Sequence, residues 1–208
     1  MKKIVLSMTM ATVVLTVAFA QEKRYGIESA ILTKNTVVRT PGAIMEQNIS
    51  SIQYIAEYGG KESAESFINV QGKMFTIFTM MKDGFVYTAN IDAKQGTKVN
   101  MASMDDYKAV NYLNLTDEVK EKYNIEEKGN EQFLGKDCKR YELTVTAQGQ
   151  TAKATILVWQ GLPLKSTMTM AGNTMVEEVT EIQEGATIAR EKFELPEGIN
   201  FMEVKPQL

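Results

Sequence analysis

Turn sequences divide most of this chain into segments of similar length, and this spacing restricts the folds open to it. Glycine-containing turns recur roughly every ten residues, as is usual in antiparallel β-proteins, at positions 40–42, 59–60, 83–84, 94–96, 148–150, 161–163 and 172–173. The segments between them are rich in Val, Ile, Thr and aromatic residues, which favour strands. The sequence therefore predicts a mainly β fold of the α+β class, a curved antiparallel sheet or half-barrel of about ten strands in hairpin order. The last of these strands is predicted over residues 190–195.

Residues 103–123 interrupt the strands with a helical pattern. Thr116 is a good N-cap before an acidic first turn, and Val119 and Tyr123 lie four positions apart on one helical face. The sequence predicts that this short helical insert covers the concave face of the sheet.

The N-terminus has the pattern of a secretory signal peptide. Two lysines precede an apolar stretch over residues 4–17, and Ala18-Phe19-Ala20 fits the small-residue cleavage rule. We expect cleavage after Ala20 and a protein that is periplasmic or secreted, with a leader of the Gram-negative type. A lipid-anchored protein would have cysteine at the cleavage point, where this chain has Gln21. The mature chain, residues 21–208, is then a single domain with neither a lipid anchor nor a transmembrane helix.

The composition of the mature chain excludes several classes of function. Loss of Lys2 and Lys3 with the leader takes the formal net charge from −3 to −5, so no basic surface for nucleic acid is expected. The chain contains no histidine, which rules out Ser-His-Asp and Cys-His catalytic sites. No phosphate-binding glycine motif and no zinc-ligand cluster is present either. We expect a protein that is not an enzyme and that needs no cofactor or metal.

The second half of the chain contains a series of motif positions in a fixed order: Gly135, Cys138, Tyr141 and Leu143, then Val158 and Trp159, then residues 162–165, and lastly Phe193, Leu195, Pro196 and Gly198. In these positions and their order the chain resembles the superfamily of lipoprotein-localisation carriers, the LolA/LolB-like proteins, in a secreted Met-rich branch. The resemblance implies a half-open antiparallel barrel whose concave side is covered by helices. It also implies an apolar cavity between sheet and helices that holds acyl chains.

Methionines and aromatic residues are the candidates for lining such a cavity. Met168 and Met170 point to one strand face because the side-chain period is two. With them we group, as the predicted ligand-binding residues, Phe75, Ile77, Met81, Trp159 and Met175. Methionine suits flexible apolar ligands because its thioether is unbranched and polarizable. Copper(I) binding by thioethers and an ordinary Met-filled core are the alternatives.

The segment from Lys73 to Met81 is apolar on both of its faces. Phe75, Ile77 and Met81 face one way, whereas Met74, Phe78 and Met80 face the other. Such a strand must be covered on both sides. One interpretation is a central strand with ordinary packing. The other has the helical insert on one side and a partner chain or membrane surface on the other.

Cys138 is the only cysteine, and it lies between Lys136 and Lys139-Arg140. Nearby cations favour a reactive thiolate. Its strand parity is that of Arg140 and Glu142, however, so we expect a residue at the rim or on the outer face rather than a nucleophile.

These observations predict a non-catalytic binding module for an apolar or lipid-like ligand, such as the acyl chain of a lipoprotein. The alternative is a structural or protein-interaction module of the cell envelope, with a filled core and no ligand. Peripheral contacts with envelope proteins are expected under either interpretation.

Overall fold

The computed structural model describes residues 23–42, 46–103, 110–147 and 150–205. The leader predicted for residues 1–20 lies outside these ranges. Its cleavage, like the assignment of residues 21–208 to one domain, stays a prediction.

The described chain forms one open, curved, twelve-stranded sheet with a single short helix. The strands are β1 (Ala30–Arg39), β2 (Gln47–Ala56), β3 (Lys61–Val70), β4 (Lys73–Lys82), β5 (Phe85–Asn90), β6 (Gln95–Asn100), β7 (Glu126–Phe133), β8 (Lys136–Ala147), β9 (Gln150–Trp159), β10 (Leu162–Met170), β11 (Asn173–Glu184) and β12 (Asn200–Glu203). Their order across the sheet is β12-β6-β5-β4-β3-β2-β1-β11-β10-β9-β8-β7. The mainly β fold class expected from the sequence is confirmed.

Tight turns explain why neighbouring strands form hairpins. Asp83 and Gly84, between β4 and β5, both have positive φ, at 50° and 79°. Ala171 and Gly172, between β10 and β11, repeat this with 49° and 82°. Two successive residues of positive φ twist a two-residue turn in the same sense as the strands that it joins.

The sheet consists of two meanders. One runs from β1 to β6 and the other from β7 to β11, and the antiparallel pair of β1 and β11 joins them in the middle of the sheet. At the far edge β12 pairs with β6 in parallel, so the sheet is mixed rather than wholly antiparallel.

Two details of the predicted strands are corrected. The count rises from about ten to twelve because β7 and β12 were not foreseen. The strand predicted over residues 190–195 is wrong, since Arg190–Phe193 forms a 3-10 helix. Pro196 follows it closely, and proline cannot donate to a strand ladder.

The central core lies where β10 and β11 separate. Their pairing ends at Lys165 and Glu178, although β11 continues along β1 as far as Glu184. Buried apolar side chains fill this region: Tyr25, Ile27, Ala30, Leu32, Ile55, Cys138, Leu157, Leu162, Leu164 and Val179. Because β10 and β11 part here, packing rather than backbone hydrogen bonding connects these two strands at this end.

The helical insert contains α1 (Asp117–Lys122), which begins as the sequence predicts. The Thr116 side chain accepts a hydrogen bond from the Val119 N–H at 3.3 Å. The insert packs on β8 and β9 through a second cluster that includes Tyr112, Tyr123, Ile125, Tyr141 and Ile156. It thus covers one end of the sheet.

Candidate functional site

Six of the seven predicted ligand-binding residues share one side of the sheet, which we call the methionine face. They are Phe75, Ile77 and Met81 on β4 and Met168, Met170 and Met175 on β10 and β11. Directly paired residues in adjacent strands point to the same side. One such row runs from β4 to β10 through Phe75, Ile68, Ile49, Thr36, Glu177 and Ser166.

Trp159 is the exception, and its grouping with the other six is corrected. Along β9, Ile156 pairs with Ser166 of the methionine face, so Leu157 and Trp159 point to the opposite side. Trp159 packs against the central core, and Lys136 Nζ lies 4.3 Å from its ring centroid. This tryptophan is therefore placed as an anchor of the core.

The opposite face of β4 is covered by the protein's own C-terminal segment, residues 185–203. Phe78 and Met80 are buried there beneath Leu195, Ile199 and Phe201. The described part of the insert therefore does not supply a cover for β4, whereas cover of the methionine face by a partner chain or membrane surface stays a prediction. The C-terminal segment covers one face, and the described insert lies over β8 and β9 instead.

Polar contacts fix this C-terminal segment in place. Ser63 Oγ donates a hydrogen bond to Lys192 O at 2.5 Å, and Lys192 Nζ lies 2.8 Å from Glu65 Oε1. The Phe201 ring meets Tyr87 edge to face, with centroids 5.2 Å apart.

On the methionine face the apolar side chains keep part of their surface exposed. Phe75, Ile77, Met81, Met168 and Met175 are half-buried, and Met170 is 38% exposed. The residues on β4 lie four strand spacings from Met175 on β11 and five from the methionines on β10, about 19 and about 24 Å across the sheet. Between them Ile49 is buried and Ile68 is half-buried, so apolar surface continues across the row.

A polar group that sequence reasoning missed lies in the middle of this face. Lys34 Nζ contacts Glu177 Oε1 at 3.1 Å, and Thr36 Oγ1 lies 3.5 Å from Glu177 Oε2. We call this the Lys34–Glu177 pair. The side chains of Lys34 and Glu177 are 13% and 28% exposed, and Thr36 is buried. The only signal in the sequence is that Lys34 has the parity of the apolar Leu32 and Val38.

Three serines surround the Lys34–Glu177 pair on the same face. Ser51 pairs with Lys34 across β1 and β2, and Ser66 pairs with Ser51 across β2 and β3. On the other side Ser166 pairs with Glu177 across β10 and β11. The methionine face therefore has a polar centre between two apolar flanks.

A second charged pair lies on the same face, at the end of the sheet where β2 connects to β3. Arg24 Nη1 lies 2.9 Å from Glu62 Oε1, Arg24 Nη2 donates to Tyr25 Oη at 3.1 Å, and Gln53 Nε2 donates to Glu62 Oε2 at 3.2 Å. The Arg24–Glu62 contact is a close ionic one without the alignment of a hydrogen bond. Burial raises the pKa of Glu62, and the positive charge of Arg24 opposes this.

Cys138 lies in the central core and not at a rim, so its predicted position is wrong. It is fully buried, and its Sγ donates to Lys136 O at 3.7 Å. Burial and the negative charge of Asp137 raise the pKa of the Cys138 thiol. A buried thiol with a raised pKa is poorly nucleophilic at neutral pH.

The cations near Cys138 in sequence are engaged elsewhere. Lys136 pairs with Glu184, Lys139 lies 3.3 Å from Glu127, and Arg140 lies 3.0 Å from Glu142. None of these contacts activates the thiol.

The described residues contain neither a cluster of metal ligands nor a helix that could span a membrane. Among residues 23–42, 46–103, 110–147 and 150–205, no three His, Cys, Asp or Glu side chains converge as metal ligands. Within the same ranges no helix has the length and apolar character needed to cross a membrane.

Comparison with known proteins identifies the fold through structure and not through sequence. No protein family profile and no curated protein matches the chain. An uncharacterised conserved protein from Thermus thermophilus is 11% identical, with 86% of this chain and 92% of that chain covered and a TM-score of 0.54. That likeness shows a shared fold.

Two other matching structures have lower TM-scores. The lipoprotein LppX of Mycobacterium tuberculosis is 9% identical, covers 79% of this chain and 91% of its own, and has a TM-score of 0.43. A LolA superfamily protein from Nitrosomonas europaea is 12% identical, with coverages of 85% and 94% and a TM-score of 0.39. The matching structures thus include a protein of the superfamily that the sequence resembles.

Proposed function

We propose that this protein is a non-catalytic binding module of the bacterial envelope whose ligand is a single-chain, lipid-like molecule. The ligand lies on the methionine face with its chain along the apolar flanks. The leader-like N-terminus supports a site of action in the periplasm or outside the cell.

One observation carries this proposal. The chain covers the opposite face of β4 with its own C-terminal segment, whereas Phe75, Ile77, Met81, Met168 and Met175 keep part of their surface exposed on the methionine face. Apolar surface that stays partly exposed on one face is a common mark of a binding site.

The chemistry of the face fits a flexible chain. Methionine side chains adapt their shape at little cost and make favourable contacts with many apolar partners. Each methylene that leaves water contributes about 0.8 kcal/mol, so a long acyl chain supplies enough free energy for binding even after ordering costs.

Fluorescence of the neutral probe N-phenyl-1-naphthylamine tests the proposal on the mature chain. We expect enhanced emission on binding and displacement by a myristoyl lysophospholipid below its micelle concentration. Met168→Gln should weaken binding of the probe about tenfold, since it places a polar group on the contact surface. Met74→Gln is the matched control, because Met74 is 52% exposed on the opposite face of the sheet.

Equal binding by wild type and Met168→Gln would place the ligand elsewhere. Absence of any probe or lysophospholipid binding by the wild type would overturn the proposal in favour of an interaction module without a ligand.

A further inference from the structure

The Lys34–Glu177 pair lies outside the central core cluster, and strand pairing holds it in a set position. Lys34 on β1 pairs directly with Val179, and Glu177 on β11 pairs directly with Thr36, so the two charges meet diagonally across the strand pair that joins the meanders. Their contact of 3.1 Å lies on the methionine face, between flanks of apolar side chains.

The ion pair of Lys34 and Glu177 can bind a ligand while the contact between the two side chains is kept. A lysine ammonium has three N–H donors, and the contact with Glu177 uses one of them. The Glu177 carboxylate has more acceptor sites than its contacts with Lys34 and Thr36 occupy. Each partner therefore retains capacity to bind a further group.

The charge balance restricts what that group can be. A ligand with only an anionic oxygen would add negative charge beside Glu177, and one with only a cation would add positive charge beside Lys34. In a partly buried place such unbalanced charge is unfavourable. A head group with an anionic oxygen for Lys34 and an N–H donor for Glu177 leaves the net charge unchanged.

We propose that the Lys34–Glu177 pair is the head-group site of the methionine face and selects single-chain amphiphiles with a net-neutral head group that contains an anionic oxygen and an N–H donor. This inference rests on the proposed function and adds the class of ligand. Phosphoethanolamine has both groups, phosphocholine lacks the N–H, and phosphoglycerol lacks the cation.

The surroundings fix the orientation of such a ligand. The serines Ser51, Ser66 and Ser166 offer hydroxyl groups around the head group. Met175 precedes Glu177 by two positions on the same face and pairs directly with Met168, so the methionines begin about 7 Å from the pair. The chain of the amphiphile runs from the pair towards Met175, Met168 and Met170.

The experiment compares lysophospholipids that share one myristoyl chain and differ in head group. Displacement of N-phenyl-1-naphthylamine from the mature protein gives the dissociation constants. We expect lysophosphatidylethanolamine to bind about tenfold more tightly than lysophosphatidylcholine or lysophosphatidylglycerol. In Glu177→Gln, where Lys34 is an unpaired cation, the preference should move to lysophosphatidylglycerol.

Two variants complete the design. The charge swap Lys34→Glu with Glu177→Lys keeps a neutral pair and should restore the preference for lysophosphatidylethanolamine. Glu178→Gln is the matched control: Glu178 is the next residue, points to the opposite face and lies 3.4 Å from Lys165. It should behave as the wild type does. Circular dichroism and thermal melting confirm that each variant is folded.

The result that overturns this inference differs from the one that overturns the proposed function. If all three lysophospholipids bind and Glu177→Gln keeps the selectivity of the wild type, the head-group site is wrong and the apolar binding face stands. A wild-type preference for lysophosphatidylglycerol would also overturn it. If neither probe nor lysophospholipid binds, the proposed function itself fails.

Discussion

Arg24 Nη1 lies 2.9 Å from Glu62 Oε1 in a place where their side chains are 4% and 0% exposed. Two charges are thus removed from water together near the start of the described chain. The segment that carries Arg24 also bonds to the rest of the fold through its backbone, since the N–H groups of Arg24 and Tyr25 both donate to Tyr58 O. This end of the sheet depends on residues that precede the first strand.

Removal of Arg24 alone should be strongly destabilising. We expect Arg24→Met to lower the free energy of unfolding by about 3–5 kcal/mol, because Glu62 would stay buried without its counter-charge. The double variant Arg24→Met with Glu62→Met should recover most of that loss. Urea unfolding of the three proteins measures this. Equal destabilisation in the single and double variants would show that packing of Arg24, rather than charge, stabilises this end.

Glu62 should also make stability depend on pH. Burial raises its pKa above the ordinary value of 4.5. Between the ordinary and the raised pKa the folded protein binds a proton that the unfolded chain has lost, so the contribution of Glu62 to stability is complete below this interval and declines as pH rises through it.

We expect the stability of the wild type relative to Glu62→Gln to fall as pH is raised above the ordinary carboxyl pKa of 4.5. Urea titrations at each pH provide the measurement. A relative stability that rises with pH would mean that pairing with Arg24 outweighs burial at this carboxyl group.

Cys138 should be inert in the folded protein. Its thiol is fully buried and its pKa is raised, so reaction with a disulfide reagent at neutral pH should require unfolding. Cys138→Ser should cost about 1–3 kcal/mol because it buries a hydroxyl group among apolar side chains, and Cys138→Ala should cost less. Thiol titration with and without urea gives the measurement. Rapid modification of the native protein would contradict the buried position.

Gly96 should be sensitive to a single added methyl group. A Cβ at this position would lie 2.6 Å from the Phe201 ring, which packs over β6 from the C-terminal segment. We expect Gly96→Ala to destabilise the protein by about 1–3 kcal/mol and to expose the C-terminal segment to proteolysis. In the double variant with Phe201→Ala, the effect of Gly96→Ala should largely disappear. Additive effects would place the strain elsewhere.

Most strands can be predicted from the sequence because the turns between them depend on the residue types at a few neighbouring positions. Asp83-Gly84 and the N-cap Thr116 each act within four positions of the chain, and the structure has both. β7 is different: its sequence EEKGNEQF has no apolar residue before Phe133, and all residues before Phe133 are exposed. A strand at the edge of a sheet needs no alternating apolar pattern.

The candidate site is predicted only in part because its residues meet across long separations. Strand parity alone places the six members of the methionine face correctly within their own strands. Lys34 and Glu177, however, are 143 positions apart, and their contact follows from the pairing of β1 with β11. Register between distant strands depends on the whole sheet and cannot be read from a local pattern.

The pairing of β1 with β11 also sets an order for folding. Each meander is built from neighbouring strands, so its contacts are local and form early. The pairing of β1 with β11 closes the longest loop in the sheet, and it cannot form until β11 has been synthesised. The strands β1 to β6 can therefore form hairpins with one another before the methionine face exists as one surface. The strand that completes this surface, β11, is the second to last of the described strands.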